Sequence, residues 1–377
     1  MDLTLTEEHR QIRRAARELA EREFADDAFT WHDEYPAENA RVLAEHGYLG
    51  MTLPEAYGGG GMGFFDALMA LEGVGEVCPD TALSIVTTNT GNMQIVAKFA
   101  EEEYAREYLE PVCAGENTYV AIAMSEPGAG SAVTDMATTA EDDGDAWVVD
   151  GQKAWVSRAG KSSAFVTYVR LPDGNIGSVL VDSDNPGLEV GDPDYNMYDE
   201  PQYSIYLDDC RVDKSRSLVT GPESFKEQIR TYNVNRVMGM AGNWVIAKWL
   251  FDDALEYAQH REQGGNPIAD YQAVSHRLTD MAINLETSRW LIYRALSGEE
   301  LPGRALSCMT KVHAAEKLHE VVDDALQIKA ANGFVGDTPE SYAYRRLRGY
   351  LIAGGTPDIH RNNVAKSLLK HGYPEVE

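Results

Sequence analysis

Three stretches carry residue types and spacings able to do chemistry. In "AMSEPGAGSAVTDMATTA" (123–140) an apolar run opens into a loop where Pro127, Gly128 and Gly130 expose backbone N–H groups. Such a loop can grip a polar ring or an anion, and a tight structural turn uses the same residues. In "DGQKAWVSRAG" (150–160) alternation places Trp155 and Ser157 on one strand face. A flat indole beside a hydroxyl suits a planar cofactor, as it also suits a sheet core. In "LIAGGTPDIHR" (351–361) a glycine pair precedes two ionisable residues, Asp358 and His360, in what reads as the first turns of a helix. An acid there is ordinary N-terminal capping. Metal chemistry has no comparable basis. Cys78, Cys113, Cys210 and Cys308 lie far apart without C-x-x-C spacing, and His313 and His319 fall on different faces of any helix that carries them.

The elements that must position these residues follow a helical, β, helical order. The first ~115 residues read as helices. Thr6 is the expected N-cap of "TEEHRQIRRAARELAERE", Gly47 closes "AENARVLAEHG", and the glycines of "LPEAYGGGGMG" read as a flexible connector. From Tyr119 the chain turns to β-branched and aromatic runs. Asp150-Gly151 and Pro172-Asp173-Gly174-Asn175 sit between such runs, the pattern of antiparallel hairpins. Beyond Glu223 long helical patterns return with broad apolar faces, suited to a four-helix bundle. The Trp, Met and small residues of "VNRVMGMAGNWVIAKWLF" add an expectation of burial between subunits. The expected domains are 1–115 all-helical, 116–225 a middle antiparallel β-barrel, and 226–377 a four-helix bundle.

Composition narrows the function classes. A chain of 377 residues with 44% apolar content can build a large core. No apolar run is long enough to cross a bilayer and the start does not resemble a signal peptide, so the expected location is the cytoplasm. A net charge of -28 opposes nucleic-acid phosphates and anionic membranes, and neither is an expected partner. The acids are spread along the chain, which fits a solvated acidic surface and a protein that works in high salt.

Taken together and in this order, "LPEAYGGGG", "SEPGAGS", "KAWVS", "YAQHREQGGNPIADYQ" and the late "GGT" resemble the acyl-CoA dehydrogenase family of flavoproteins over nearly the whole chain. The resemblance implies the three domains above, tetramers built from dimers, and FAD between barrel and bundle. It places Met124 and Ser125 at the flavin pyrimidine, Trp155 against the isoalloxazine and Ser157 near its N5. Gly130 and Ser131 fall at the flavin edge and the pantetheine arm, Arg261 at the FAD pyrophosphate of a neighbouring subunit, and Gln327 and Thr356 near the adenosine half. Ser131 and Arg236 are the expected substrate contacts, and an acyl-CoA and an electron-transfer flavoprotein the implied partners.

The departures from the family pattern concern chemistry. A dehydrogenating member needs a carboxylate to remove the proton beside the thioester. Most members carry it just before the G-T pair, here Gly354; a second group carries it before an arginine at the start of the first bundle helix, here Asn235 before Arg236. Asp358 and His360 are the nearest ionisable substitutes. The Arg-x-x-Phe-Gly element reads Arg261 to Gly265 without its aromatic, Gln-x-x-Gly-Gly reads Gln327 to Ala331, the position of the acid after "YR" holds Arg346, and the "SEPGAGSD" element ends in Ala132 rather than an acid. Three readings stay open: an FAD enzyme acting on an acyl thioester through another base or through base-free loss of a leaving group, a non-catalytic subunit paired with a complete paralogue, and a same-fold flavoprotein acting on a substrate that is not a CoA ester.

Overall fold

A computed structural model describes residues 5–30, 37–116, 118–298 and 301–373. In chain order its main helices are α1 (Glu7–Glu23), α2 (Ala37–Glu45), α3 (Phe64–Gly75), α4 (Pro79–Asn89), α5 (Asn92–Phe99), α6 (Glu102–Cys113), α7 (Ser224–His260), α8 (Gln272–Leu296), α9 (Arg304–Lys329), α10 (Ala331–Phe334), α11 (Pro339–Gly349) and α12 (Pro357–His371). The strands between α6 and α7 are β1 (Tyr119–Ala123), β2 (Thr139–Asp143), β3 (Ala146–Ser157), β4 (Ser162–Arg170), β5 (Ile176–Asp182), β6 (Leu188–Val190), β7 (Asp194–Tyr195), β8 (Pro201–Asp213) and β9 (Ser217–Val219). The chain divides into two compact units, one of residues 1–34, 63–86 and 233–377, the other of residues 35–62 and 87–232.

The first unit is helical. Thr6 caps α1 as expected, its Oγ1 accepting from the His9 N–H at 3.1 Å. Glycine sets the closest helix approaches: a Cβ on Gly73 would stand 2.4 Å from the Arg13 carbonyl oxygen. Glu72 of α3 is buried yet fully engaged, taking both arms of Arg289 of α8 at 3.1 and 2.6 Å and the Tyr293 hydroxyl at 3.0 Å. The apolar face of α7 is largely covered within the chain itself. Met238, Met240 and Trp244 are buried, and the Trp244 indole donates to the Leu285 carbonyl at 2.9 Å.

The second unit is built on the β domain. Its strands hydrogen-bond in the order β6-β8-β3-β2-β4-β5-β9, with β1 added on β4 and β7 on β8. Most pairs are antiparallel, but β1 joins β4 in parallel, so the sheet is mixed. The reason is topological: β1 arrives from α6 rather than from a hairpin, so nothing forces it to run against its neighbour.

Two turn expectations fare differently. Pro172 to Asn175 does connect the antiparallel pair β4 and β5. Asp150-Gly151 does not make a hairpin; it lies inside β3, where the register against β8 shifts. Gly151 has φ +150° and an added Cβ would meet Thr138 Oγ1 at 2.5 Å, while the Asp150 carboxylate accepts from the Asp209 N–H at 2.9 Å. Glycine in a strand interior marks a bulge or a close backbone approach, and both occur here. The turn between β2 and β3 falls instead at Gly144, φ +75°.

The glycine run after Leu53 is no flexible connector. Gly60, Gly61 and Met62 donate backbone hydrogen bonds to Gly50, Leu53 and Met51 at 3.1, 2.9 and 2.8 Å. A Cβ on Gly59 would stand 2.2 Å from the Leu53 carbonyl oxygen, so these glycines exist to let two backbone segments touch.

Candidate active site

In the second unit, the loop after β1 is fastened from beneath. Glu126 is buried, and its carboxylate accepts from the Thr138 N–H at 3.0 Å, the Thr138 hydroxyl at 2.6 Å, the Ala137 N–H at 2.6 Å and Lys153 Nζ at 2.8 Å. Burial alone would raise this carboxyl, but the donors, led by Lys153, hold it down at about 2. Burial likewise pulls buried Lys153 down to about 8 while Glu126 opposes the shift, so the ammonium stays charged at neutral pH. Lys153 Nζ also donates to the Met124 carbonyl at 3.4 Å. The pair was not singled out in the sequence. The available signals were an acid directly after Ser125 and a lysine within an otherwise apolar strand pattern.

What this foundation presents is open backbone and an open ring. Glu126 and Ala129 exchange backbone hydrogen bonds at 3.2 and 3.1 Å, closing the turn, and a Cβ on Gly128 or Gly130 would meet nothing within 4 Å. Gly130 and Ser131 are exposed. The Ser125 carbonyl accepts from the Ala154 N–H at 2.9 Å, which ties the loop to β3. Trp155 follows with φ +60° at a register shift and is 65% exposed. A left-handed tryptophan costs roughly 1–3 kcal/mol, and that strain is spent turning a large apolar ring away from the sheet interior. Ser157 is exposed too, its hydroxyl donating to Gln202 Oε1 at 3.1 Å.

The first unit carries the remaining candidates. Arg236, one residue beyond Asn235 on α7, donates from Nε to the Gly354 carbonyl at 3.3 Å and from a terminal nitrogen to Asn233 Oδ1 at 2.5 Å. Gly354 has φ +70°, and a Cβ there would meet nothing within 4 Å. Thr356 caps α12, its Oγ1 accepting from the Ile359 N–H at 3.3 Å. His360 is buried, its Nε2 donating to the Gly354 carbonyl at 3.0 Å and its Nδ1 accepting from the Cys308 thiol at 3.2 Å. Burial, and then the charge of Arg236, pushes His360 down to about 4, so it stays neutral. The Asp358 side chain is 90% exposed and lies 3.8 Å from Arg361. Arg236, Gly354 and His360 are thus brought together, whereas Asp358 is turned to solvent. Gln327 and Arg261 are exposed on α9 and just after α7, and the backbone of Arg261 accepts from the Ile268 N–H at 2.8 Å.

Comparison with known proteins decides the kinship. Residues 6–116, 121–210 and 225–369 match, in turn, the N-terminal, middle and C-terminal domains of acyl-CoA dehydrogenase. The chain belongs to the acyl-CoA dehydrogenase family. It is 35% identical to the 3-sulfinopropanoyl-CoA desulfinase of Paraburkholderia xenovorans over 97% of each chain. It is 31% identical to the mitochondrial short-chain specific acyl-CoA dehydrogenase of Bos taurus, over 97% of this chain and 91% of the other. The structure of butyryl-CoA dehydrogenase from Megasphaera elsdenii shares the fold, with a TM-score of 0.87 at 22% identity, covering 98% of this chain and 100% of that one.

FAD is the cofactor of this family, and the β-domain residues fit it: an exposed indole and two glycines without steric neighbours suit a flat polar ring. The helical unit departs at one point of backbone. Ala330, where the family has the first glycine of its pair, sits at φ 53°, ψ -129°, a region natural only to glycine. No helix among the described residues is long and apolar enough to cross a membrane, and none of their His, Cys, Asp and Glu side chains form a group fit to hold a metal.

Proposed function

We propose that this protein is an FAD-dependent enzyme that acts on a CoA thioester by releasing a leaving group from its acyl chain, without abstraction of the proton beside the thioester. The observation that carries the reading is the chemistry around Gly354. The two family base positions read Gly354 and Asn235, the neighbouring imidazole of His360 has both nitrogens engaged, and the side chain that reaches the Gly354 carbonyl is a guanidinium. A base is worth ~10²–10⁴ in rate, so a chain without one is suited to a reaction that needs none.

Loss of a sulfinate group from a 3-sulfinoacyl thioester is such a reaction, and the desulfinase relative supports it. The carbon–sulfur bond breaks with its electron pair left on carbon, water supplies the proton that carbon takes, and the released sulfur dioxide is hydrated to sulfite. One water is consumed and no oxidant is needed. Bound FAD supplies a flat electron-accepting ring. Ser125, Trp155 and Ser157 would hold that ring, Arg261, Gln327 and Thr356 its diphosphate and adenosine half, Gly130 and Ser131 the pantetheine arm, and Arg236 the acyl end. An electron-transfer flavoprotein would serve only a dehydrogenating member. The exposed Ile283 and Trp290 of α8 support self-association, as tetramers of the family kind.

The test is to incubate the FAD-loaded protein with 3-sulfinopropanoyl-CoA and with butanoyl-CoA. Sulfite and propanoyl-CoA in equal amounts, with no bleaching of the flavin by butanoyl-CoA, is the expected result; rapid bleaching by butanoyl-CoA without sulfite release would refute it.

The strained Ala330 supports a second reading, a subunit that completes its cofactor site only beside a paralogue. Its signature is a colourless protein that gains flavin on co-expression with that homologue.

A further inference from the structure

Ser157 and Gln202 stand opposite each other on β3 and β8, just past the register shift at which Trp155 leaves the sheet. Residues directly opposite in an antiparallel pair share a face, so their side chains meet, and the Ser157 hydroxyl lies 3.1 Å from Gln202 Oε1. Which of the two donates is decided on the far side of the amide. Gln202 Nε2 lies 3.3 Å from Glu200 Oε2 and 3.4 Å from the Pro201 carbonyl oxygen, and a carboxylate and a carbonyl only accept. The amide nitrogen must therefore point towards them, the amide oxygen is left for Ser157, and the one hydroxyl hydrogen of Ser157 is committed to Gln202.

Glu200 is itself held in place. Its Oε2 also accepts from the Tyr198 hydroxyl at 2.6 Å and from Asn196 Nδ2 at 3.5 Å. Asn196 Oδ1 closes the turn by accepting from the Tyr198 and Glu200 N–H groups at 3.0 and 3.2 Å, and the Asn196 N–H donates to the Glu200 carbonyl at 3.1 Å. This network sits on a hairpin with little apolar reason to exist, since β7 is only Asp194 and Tyr195, both exposed and paired with Gln202 and Pro201. Its polar contacts secure no core; they fix the orientation of one amide beside Ser157.

We propose that Gln202, its amide oriented by Glu200, is a positioning residue that makes the Ser157 hydroxyl an acceptor towards the flavin ring and so favours the reduced cofactor. The inference rests on the reading above in which Ser157 holds the ring, and goes beyond it by assigning Gln202 and the direction of the hydrogen bond. With its hydrogen given to Gln202, the Ser157 oxygen offers the ring only lone pairs. The reactive ring nitrogens of oxidised flavin are acceptors too, and two acceptors facing each other gain nothing. Reduction by two electrons with uptake of a proton puts a hydrogen on a ring nitrogen, and Ser157 is then its partner. The contact belongs to the reduced form alone and raises the midpoint potential.

The experiment measures the midpoint potential of bound FAD, by reduction with dithionite against a reference dye, in the FAD-loaded protein and in its Gln202→Met and Ser157→Ala variants. Ser157 is exposed and Gln202 half-buried, so both substitutions leave the core intact. Gln202→Met releases the Ser157 hydrogen, which can then bond the oxidised ring; Ser157→Ala deprives the reduced ring of its partner. Each is expected to lower the ratio of reduced to oxidised flavin at a fixed potential by about five-fold, the order of one neutral hydrogen bond, or about 20 mV for a two-electron couple. A potential that rises in Ser157→Ala overturns the proposal, because the hydroxyl then serves the oxidised ring as a donor, and a potential unmoved in Gln202→Met overturns it as well. A shift of either sign in Ser157→Ala leaves Ser157 standing as a ring contact. No shift in that variant overturns both the proposal and that contact.

Discussion

Lys153 Nζ stands 2.8 Å from Glu126 Oε1 with both side chains buried, directly beneath the loop that offers Gly128 and Gly130. This pair couples the stability of the β domain to the shape of the candidate cofactor loop. Glu126 also holds Ala137 and Thr138, so one carboxylate fixes the chain on both sides of that loop.

Removing one partner should therefore cost more than removing a surface charge. Lys153→Met leaves a buried carboxylate with its charge uncompensated, an effect of about 3–5 kcal/mol. Urea unfolding should register that loss, and the variant should bind FAD more weakly. A loss below 1 kcal/mol would show that the pair does not hold the loop.

The same carboxylate sets an acid limit. Its folded value lies near 2, well below the usual 4.5, so its contribution is fully present above about pH 4.5 and is lost as pH falls towards 2. The shift corresponds to about 3 kcal/mol. Stability measured between pH 5 and pH 2 should fall steeply, and Glu126→Gln should flatten that limb.

Ala330 offers a stabilising substitution. At φ 53° and ψ -129° it holds a conformation that costs a side chain roughly 1–3 kcal/mol, and glycine adopts it freely. Ala330→Gly is expected to raise the unfolding free energy by about 1 kcal/mol, less than the strain because glycine loses more entropy on folding. Calorimetry of the two proteins decides it, and a fall in melting temperature would contradict the assignment.

Restoring a carboxylate should change the reaction. Gly354→Glu has room for its Cβ, although φ +70° makes it cost about 1 kcal/mol. With an acid present, bleaching of the flavin by butanoyl-CoA should rise at least ~10²-fold, the lower value of general-base assistance, while sulfite release falls. If Gly354→Glu and Asn235→Glu both leave dehydrogenation unchanged in a flavin-loaded protein, the absent base is not what separates this chain from dehydrogenating relatives.

The acidic surface gives the last prediction. There are 61 acids against 33 lysines and arginines. Exposed ion pairs such as Arg106 with Glu110 are worth roughly 0–1 kcal/mol each, and salt weakens them. Salt also screens the repulsion of the surplus acids, and with a net charge of -28 the second effect should win. The unfolding midpoint should rise as potassium chloride goes from roughly 0.1 M to 1 M.

Local pattern was enough for the order of elements. Thr6 capped α1, and the turn at Pro172 to Asn175 joined β4 to β5. Each depends on neighbours a few residues away, which one sequence displays in full. The glycines were legible only in part. Nothing local distinguishes Gly151, pressed on Thr138 inside a strand, from Gly144 in the turn before it, because the contact comes from a residue that only folding brings near. The same limit hid the cluster at Gly354. Arg236, Lys311 and His360 lie on helices far apart in the chain, and the motif at residues 351–361 displays Gly354 but not what folding brings beside it. That Arg236 and His360 meet at the Gly354 carbonyl, and Lys311 reaches the Tyr350 carbonyl, depends on how α7, α9 and α12 pack, since charge interactions act through space and take no account of separation along the chain.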